Sequence, residues 1–493
     1  MEKNNTLVLD VEESPKKWSQ WLILAFQHLL AALVATITVP LLTGLPIAAT
    51  LISAGIGTLF YIFITKMKSP VFLSSSFAYI VPIQTALTVG LVNNASGNNY
   101  LGVILGMIMV GLIYCAIALA VKFLGAKWIN KILPPIIVGP IIMVIGLSLA
   151  GSAVNNLSNT AGDITVLVGS QMVQVTNYNL LHILCGLVAM VVTALCAHYG
   201  KKKFISLIPF VVGMGSGYLL ALLLTIFGFT LGKNEYFNII SFEPFKEIFG
   251  EGNLGFASFL NYKVFVPNDA ESFIFLRFDE IKQFDWSKIG EIALLFVPVA
   301  LVTTCEHIGD HENLGNILGR DLLNGEPGMH RTLTGDGVAT AISGCLSGVA
   351  NTTYGENVAV IGTTRIASVK VVLAAALLTI ISGFITPFTA LLKTIPGCVT
   401  GGVSLILYGF IASSGVKMLL AEKIDFNKSK NIFIASVILV AGIGGLTLKF
   451  GSATNPTITI TSTAVAMLLG ILLNLILVEK EEKQETTENV ENQ

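Results

Sequence analysis

Two carboxylates stand in stretches of the chain that are otherwise as apolar as lipid. Glu306 follows a long, nearly uncharged run in VALVTTCEHIGDHENLG, and Glu356 lies in TTYGENVAVIG. An ionisable side chain inside a membrane span costs roughly 2.5–3.5 kcal/mol on insertion scales, so it is functional by default. On a helix, Glu306 and Asp310 lie one turn apart on the same face. The sequence therefore predicts an acidic site at membrane depth that binds a ligand or moves a proton.

The same charged group permits two other interpretations. If the span ended near Cys305, the residues after it would form a wetted cap outside the membrane, and this applies most to His311 and Glu312. His307 and His311 also have the HxxxH spacing of two zinc ligands, as in a metallohydrolase. Gly309 weakens the helix that such a site needs, and no third ligand is evident. No metal site is therefore predicted.

The composition places these carboxylates in a membrane protein. Of the 493 residues, 53% are hydrophobic and 12% are charged, with a mean hydropathy of +0.77, whereas a soluble chain is about 25% charged. Apolar runs of about 20 residues recur, each able to cross a hydrocarbon core of roughly 30 Å. About 14 such runs fall near residues 20–42, 47–65, 71–91, 101–124, 133–150, 180–199, 204–232, 289–308, 334–349, 355–369, 371–392, 399–418, 431–447 and 460–478. The prediction is an all-α polytopic membrane protein in contact with lipid, and its net charge of −1 indicates no nucleic-acid partner.

The short loops predict the orientation, because cytoplasmic loops hold an excess of Lys and Arg. The basic residues that fall on one side are Lys16, Lys17, Lys66, Lys68, Lys127, Lys131 and Lys201-Lys202-Lys203. The opposite loops, 91–100 and 151–179, contain neither residue type. Both termini are therefore expected in the cytoplasm.

The distribution of apolar spans and charged ends divides the chain into three segments. Residues 1–17 form a cytoplasmic N-terminal segment, 18–478 the membrane domain, and 479–493 a disordered cytoplasmic tail. The long connection 233–288 carries mixed charges and has no assigned role. The six cysteines show no CxxC spacing and are interpreted as small buried hydrophobes, and no cofactor is predicted.

The two halves of the chain resemble each other. KILPPIIVGPIIMVIGLSLAGS, from Lys131, aligns with KTIPGCVTGGVSLILYGFIASS, from Lys393, with one offset of 262, so that Pro134 coincides with Pro396. If the spans number 14, span 5 is paired with span 12, and an odd shift of seven inverts the second half relative to the first. Inverted repeats are the architecture of many secondary transporters, whose sites lie at interrupted helices near the midplane.

Such interruptions are visible in spans 3 and 10. Span 3 opens SPVFLSSSFAYI, and span 10 opens NTTYGENV. These residue types favour irregular backbone over helix. Irregular backbone is tolerated at membrane depth only where protein or a water-filled cavity satisfies it, so the two stretches are expected to face each other and a substrate. The alternative is that the hydroxyls bond to preceding carbonyls in ordinary helices.

The same residues carry a resemblance to a known family. EHIGDH, then GRDLLNGEPGMHRTLTGDG and NTTYGENVAVIGTTRIAS, resemble the nucleobase–ascorbate (nucleobase:cation symporter-2) transporters, and within them the uracil permeases. FQHLLAALVATITVP and SSSFAYI are also similar, and the resemblance runs from about Trp18 to Val478. It implies 14 spans in two inverted sevens, with a core domain of spans 1–4 and 8–11 and a gate domain of spans 5–7 and 12–14. It also implies short antiparallel strands in spans 3 and 10, and a homodimer in the cytoplasmic membrane.

The resemblance implies a substrate site as well. Glu306 matches a glutamate that contacts the base, while Glu356 and the backbone of Gly355 match the pair that reads its polar edge. The main chain of Phe77 is expected to contact the base, and Tyr354 to flank it. The chemistry agrees, because a carboxylate accepts from the N–H groups of uracil and backbone amides donate to its carbonyls.

Proton coupling is expected at Glu306 and Asp310. A carboxyl that faces a cavity at membrane depth is partly desolvated, which disfavours its charged form. The position of Asp310 is a histidine in some uracil permeases and an aspartate in other members of the family. Its expected role is direct contact with the substrate or passage of the proton. The predicted function is proton-coupled symport of uracil into the cell rather than catalysis. A symporter of xanthine, uric acid or another nucleobase is the near alternative, and an intramembrane metallohydrolase the distant one. A channel is disfavoured, because the polar residues form two clusters rather than rings along a pore.

Overall fold

The fold is seen in a computed structural model. It describes residues 7–87, 100–125, 127–158, 163–168, 171–176, 178–199, 208–231, 235–250, 256–269, 272–273, 276, 278–451 and 456–477. The expectations for most of the loop 91–100, for the basic run 201–203 and for the tail 479–493 lie outside these residues.

The order of the elements follows the predicted sequence of spans closely. The first half contains α1 (Trp18–Thr43), α2 (Ile47–Ile64), β1 (Leu73–Ser75), α3 (Ile80–Ala86), α4 (Tyr100–Leu124), α5 (Lys127–Ile132), α6 (Pro135–Ser148), α7 (Ala150–Ser158), β2 (Asp163–Val168), β3 (Gln171–Thr176), α8 (Leu180–Tyr199) and α9 (Pro209–Thr230). The connection contains α10 (Glu243–Phe249), α11 (Phe256–Phe259) and α12 (Phe278–Gln283). The second half contains α13 (Ile289–Leu318), α14 (Met329–Cys345), β4 (Asn351–Thr353), α15 (Gly355–Thr364), α16 (Val369–Phe384), α17 (Thr386–Lys393), α18 (Gly397–Ala421), α19 (Ser429–Ile443), β5 (Leu448–Gly451), β6 (Pro456–Ile460) and α20 (Ser462–Ile476).

Eight helical segments in the described part of the chain are long and apolar enough to cross a membrane. They are α1, α2, α4, α6 continued by α7, α8, α9, α13 and α18. Four apolar helices are shorter, namely α3 with the turn before it, α16, α19 and α20. The predicted multi-span helical architecture is confirmed at this level. Spans 3 and 10 are each divided into a strand and a short helix, and α14, α16, α19 and α20 have 17, 16, 15 and 15 residues, so fewer helices than the predicted 14 reach full length.

Beside the helices, the described residues contain strands, which the sequence predicted only in spans 3 and 10. Six strands in the described residues form three two-stranded sheets. In one of them β1 pairs antiparallel with β4, with Leu73 opposite Thr353 and Ser75 opposite Asn351. The hairpins β2–β3 and β5–β6 lie between helices, where the sequence predicted only loops and the start of span 14. Their strands alternate residue types over a few positions only, a weak signal beside the long apolar runs.

Neighbouring helices satisfy the edges of the β1–β4 pair. The backbone N–H of Leu73 donates to Thr58 Oγ1 on α2 at 3.1 Å. On the other strand, Asn351 Nδ2 donates to the carbonyl of Ser53 at 2.9 Å, and Thr340 Oγ1 on α14 donates to the carbonyl of Asn351 at 2.7 Å. All six strand residues are buried. A short strand pair is therefore stable here because side chains replace the water that its edges would otherwise need.

The two repeated segments begin alike and pack against each other. Pro134 is the N-cap of α6 (φ −68°, ψ 159°) and Pro396 is the N-cap of α18 (φ −66°, ψ 147°). A Cβ atom on Gly415 of α18 would lie 2.3 Å from the carbonyl oxygen of Gly139 on α6. No side chain fits at that distance, so glycine allows the two helix backbones to touch.

The connection 233–288 docks onto the membrane helices at two places. The N–H groups of Ile239 and Ile240 both donate to Thr225 Oγ1 on α9 at 3.2 Å. Farther along, the ring of Phe265 stacks on Phe384 at the end of α16, with centroids 6.0 Å apart. The connection therefore contacts both a first-half and a second-half helix.

Candidate substrate site

The helix that carries Glu306 and Asp310 is long and continuous. α13 has 30 residues and ends beyond the charged cluster, where Gly319 adopts the left-handed conformation with φ 67°. Glu306 and Asp310 are both half-buried and lie one turn apart, as predicted from their spacing. The two carboxyl groups therefore belong to the wall of the site rather than to a loop.

The interpretation of the charged cluster as a wetted cap is wrong for its histidines. The helix passes through Cys305 without a break, and His307 and His311 are 0% and 1% exposed. Glu312 alone among the cap residues in question is exposed. Apolar residues farther along α13 keep this turn of the helix packed inside the protein.

The sequence TTYGENV forms a strand followed by the start of a helix. Tyr354, buried and extended (φ −130°, ψ 110°), is the N-cap of α15. Gly355 is the first helical residue and Glu356 lies in the first turn, both half-buried. The first N–H groups of a helix have no partner within it and carry a partial positive charge. The stretch thus places the N-terminal backbone of a helix and one carboxyl acceptor side by side.

The carboxyl groups of α13 and α15 converge. A Cβ atom on Gly355 would lie 3.2 Å from Asp310 Oδ1, so the backbone of α15 passes directly beside that carboxyl. Glu306 interacts electrostatically with Asp310, Glu356 and Asp336. In the described residues no lysine or arginine is buried that could neutralise them. Four acidic groups without a buried cation would repel one another if all were charged, because a desolvated site screens like charges poorly.

Phe77 belongs to a short turn, Phe77–Tyr79, that contacts α13, and an unpredicted tyrosine packs on its ring. The rings of Phe77 and Tyr408 meet edge to face, with centroids 5.7 Å apart and planes at 79°. Tyr408 belongs to α18, so it brings the second repeated helix to the site. A cavity of about 150 Å³ adjoins Phe77 and is also lined by Val81, Ser148, Val299, Gly442 and Thr461.

Asp336 is a site residue that the sequence reasoning missed. It is fully buried on α14, its Oδ2 lies 2.8 Å from His307 Nδ1, and the same oxygen accepts from the backbone N–H of Thr353 at 3.3 Å. The carboxyl therefore joins α13 to the strand just before Tyr354. The signal was available, because an aspartate in the apolar run 334–349 is the same kind of anomaly as Glu356.

Hydrogen bonds within the protein hold His307 and His311 in place. His307 Nε2 lies 2.9 Å from Thr332 Oγ1, opposite the bond to Asp336. His311 Nδ1 donates to the carbonyl of His307 at 2.8 Å, which leaves Nε2 of the neutral ring to accept from Tyr61 OH at 2.7 Å. All four ring nitrogens thus have partners within the protein. The zinc interpretation of the HxxxH spacing is therefore disfavoured, and the described residues hold no cluster of three or more metal-ligating side chains.

The architecture defines the class of protein. The chain can be superimposed on the transmembrane domain of the bicarbonate transporter BicA from a cyanobacterium with a TM-score of 0.58, covering 94% of this chain and 99% of that one. The sequences are 15% identical, so this similarity concerns the fold alone. The chain therefore shares the fold of that transmembrane domain.

The sequence comparisons place the chain more narrowly. The profile of a permease family matches residues 19–451. A uracil permease of Bacillus caldolyticus is 40% identical over 474 residues, covering 96% of this chain and 95% of that protein. A uracil permease of Bacillus subtilis strain 168 is 38% identical over 482 residues, covering 97% and 98%. The chain belongs to this permease family, the nucleobase:cation symporter-2 group that its motifs resemble, and it is a transporter rather than an enzyme.

Proposed function

We propose that this permease carries uracil across the cytoplasmic membrane into the cell together with a proton. The observation that carries the proposal is the close approach of α13 and α15, which brings the Asp310 carboxyl to the backbone of Gly355 and lets Glu306 interact electrostatically with Glu356. A uracil molecule offers two N–H donors and two carbonyl acceptors in one plane. Carboxyl oxygens accept from the former and backbone N–H groups donate to the latter.

The aromatic residues suit a flat ligand. Phe77 and Tyr408 meet edge to face, and Tyr354 lies buried next to the glycine. Aromatic rings bury a planar base at low conformational cost and leave its polar edge free for the carboxyls. We assign the main chain of Phe77 to the opposite edge of the base and the ring of Tyr354 to its side. The similarity of the chain to the uracil permeases of two Bacillus species supports this substrate.

The proton is assigned to the Glu306 and Asp310 pair. Moving an ionised carboxyl through a closed, dry intermediate costs several kcal/mol, whereas the neutral form crosses readily. No lysine or arginine is buried in the described residues, so this cluster has no internal counter-charge, which is compatible with neutralisation by a proton. An inward proton gradient would then drive accumulation of a neutral base.

The proposed architecture follows the two halves of the chain. We assign 14 spans in two inverted sevens, a core domain of spans 1–4 and 8–11, and a gate domain of spans 5–7 and 12–14. The strand pair lies in the core, and Tyr408 on α18 belongs to the gate. We assign both termini to the cytoplasm, on the side where Lys68 pairs with Glu326. We also propose that the protein functions as a homodimer, by analogy with the family.

Uptake of labelled uracil into proteoliposomes tests the substrate. Purified protein should accumulate uracil above empty liposomes when the outside is more acidic, and a protonophore should abolish the accumulation. Unlabelled uracil should compete, whereas xanthine, uric acid and thymine should compete weakly. Stronger competition by xanthine or uric acid than by uracil would show that the substrate is a purine. Accumulation of uracil without a proton gradient would show that transport is not coupled to protons.

A further inference from the structure

The N-terminal segment runs alongside the end of the helix that carries Glu356. Residues 8–13, called the N-terminal strap below, pair in parallel with the chain that follows α15. The N–H of Val8 donates to the carbonyl of Arg365 at 2.8 Å, and the N–H of Ala367 donates to the carbonyl of Leu9 at 2.9 Å. Backbone hydrogen bonds therefore hold the strap against residues 365–367, as in a parallel pair of strands.

Buried side chains continue this attachment. Val11 is 1% exposed and belongs to an apolar cluster with Val358 of α15 and Leu314 of α13. The N–H of Val369 donates to the carbonyl of Val11 at 3.0 Å, and Ser368 Oγ donates to the carbonyl of Glu13. The strap therefore contributes one side chain to the contact between the two helices that bear the acidic residues.

An ion pair ties the strap to the end of α13. Asp10 Oδ2 lies 2.5 Å from an Nη atom of Arg320, which follows the glycine that terminates α13. Both side chains are about half exposed, so the pair alone contributes little, roughly 0–1 kcal/mol at a surface. The position of the ion pair matters more than its strength. The pair links the strap to α13, which carries Glu306, while the backbone hydrogen bonds link the strap to the end of α15, which carries Glu356.

The backbone of Arg365 is shaped for this contact. It adopts the left-handed conformation with φ 60°, which is uncommon for a residue other than glycine. The helix α15 has 10 residues and is therefore about 15 Å long, with Gly355 at one end and Arg365 just beyond the other. A helix this short moves as a unit, so a tilt at the Arg365 end displaces Gly355 and Glu356.

We propose that the N-terminal strap positions α15 against α13 and thereby sets the separation of the Glu306 and Glu356 carboxyls. The strap residues do not touch the substrate, so they are positioning residues. The proposal rests on the proposed function, since the two carboxyls are assigned to substrate binding. Its consequence is that residues at the N-terminus control substrate affinity from the far end of α15.

Two deletions and two point variants test it. Deletion of residues 2–13 removes the strap, whereas deletion of residues 2–6 shortens the same terminus and leaves the strap in place. Val11→Asp disrupts the buried contact, and Val11→Ala weakens it. The measurements are the Kd of purified protein for labelled uracil and the hydrogen exchange of the peptide that spans residues 355–369.

The deletion of residues 2–13 and Val11→Asp should each raise the Kd about tenfold, a change of about 1.4 kcal/mol, and should speed exchange in residues 355–369. Deletion of residues 2–6 should change neither quantity. If the larger deletion fails to fold, Val11→Ala decides, with a smaller rise in both. A Kd and an exchange rate equal to those of the unaltered protein in a folded strap variant would overturn the proposal. Hydrogen exchange of residues 355–369 can be measured without uracil. If the unaltered protein does not bind uracil, the proposed function is contradicted, but the exchange rates still show whether the strap holds α15 in place.

Discussion

The carboxyl group of Asp310 lies directly beside the α-carbon of Gly355. A side chain at position 355 would begin with a Cβ atom 3.2 Å from Asp310 Oδ1, closer than most Cβ contacts. Two helices of the second half, α13 and α15, thus approach each other where the carboxyl of Asp310 meets the backbone of Gly355. Because of this proximity, a larger residue at position 355 would change the shape of the site.

Gly355→Ala should weaken uracil binding about tenfold. The added methyl group displaces the Asp310 carboxyl or tilts α15, and either movement changes the acceptor geometry at Glu356. Gly362→Ala is the matched control, because it lies on the same helix and its methyl group would meet only the mobile end of the Ile317 side chain at 3.0 Å. Equal Kd values for the two variants would contradict the close approach.

Glu356→Gln should lower affinity for uracil about tenfold or more. The amide presents a donor to a ligand N–H and leaves buried groups unpaired, at roughly 1–3 kcal/mol. Glu312→Gln makes the same chemical change at an exposed position on α13 and should leave the Kd unaltered. Binding of uracil to Glu356→Gln protein at unaltered affinity would remove this residue from the site.

Glu306→Gln should lose the part of uptake that the proton gradient drives. The neutral amide mimics the protonated carboxyl but cannot release a proton, so exchange of uracil across the membrane can survive while accumulation does not. Proteoliposomes with and without an inward proton gradient separate the two activities. Accumulation by the variant at the level of the unaltered protein would transfer the coupling role to Asp310, which Asp310→Asn then tests.

Asp336→Ala should weaken both folding and binding. The change leaves His307 Nδ1 and the N–H of Thr353 without a buried partner, at roughly 1–3 kcal/mol for each group. Thr332→Val removes the hydroxyl on the other side of the His307 ring and does not touch β4. It should lower the melting temperature in detergent but keep the Kd for uracil within about twofold. A similar loss of affinity in both variants would show that His307, rather than the strand, transmits the effect.

His311→Ala should keep substantial uptake of uracil but lower the melting temperature. The histidine is buried behind the cluster, and its removal leaves the hydroxyl of Tyr61 with Ser69 as its remaining partner. Loss of one buried hydrogen bond typically destabilises by about 1 kcal/mol. Abolished uptake in a variant of normal stability would place His311 in the transport machinery, and stoichiometric zinc in the purified protein would reopen the metallohydrolase interpretation.

The positions of the helices and of the first site residues could be predicted from the sequence, because they depend on local composition. Apolar length predicted the spans, and the anomaly of an acidic residue in an apolar run singled out Glu306 and Glu356. The helical repeat placed Asp310 one turn from Glu306. Each of these inferences needs only neighbours within a few residues in the chain.

Contacts between distant parts of the chain could not be predicted in the same way. Tyr408 reaches Phe77 only because α18 packs beside the site, and nothing in the sequence around it distinguishes it from other aromatic residues of a span. The sequence predicts a span that ends near residue 308, because charged residues usually lie in water, whereas α13 continues to Leu318. The histidines remain inside because Asp336, Thr332 and Tyr61, from other helices, supply their hydrogen bonds.

The pairing of β1 with β4 also constrains how the protein is made. The paired residues are separated by about 280 positions along the chain, and synthesis proceeds at roughly 5–20 residues per second. Leu73, Ser74 and Ser75 are therefore made at least about 14 s before Asn351, Thr352 and Thr353 exist to pair with them. An unpaired strand edge in hydrocarbon is costly, so the first spans need shelter during this interval, from the insertion machinery or from a looser arrangement of their own helices. The substrate site is completed only late in synthesis, and a chain that stops before β4 cannot assemble it.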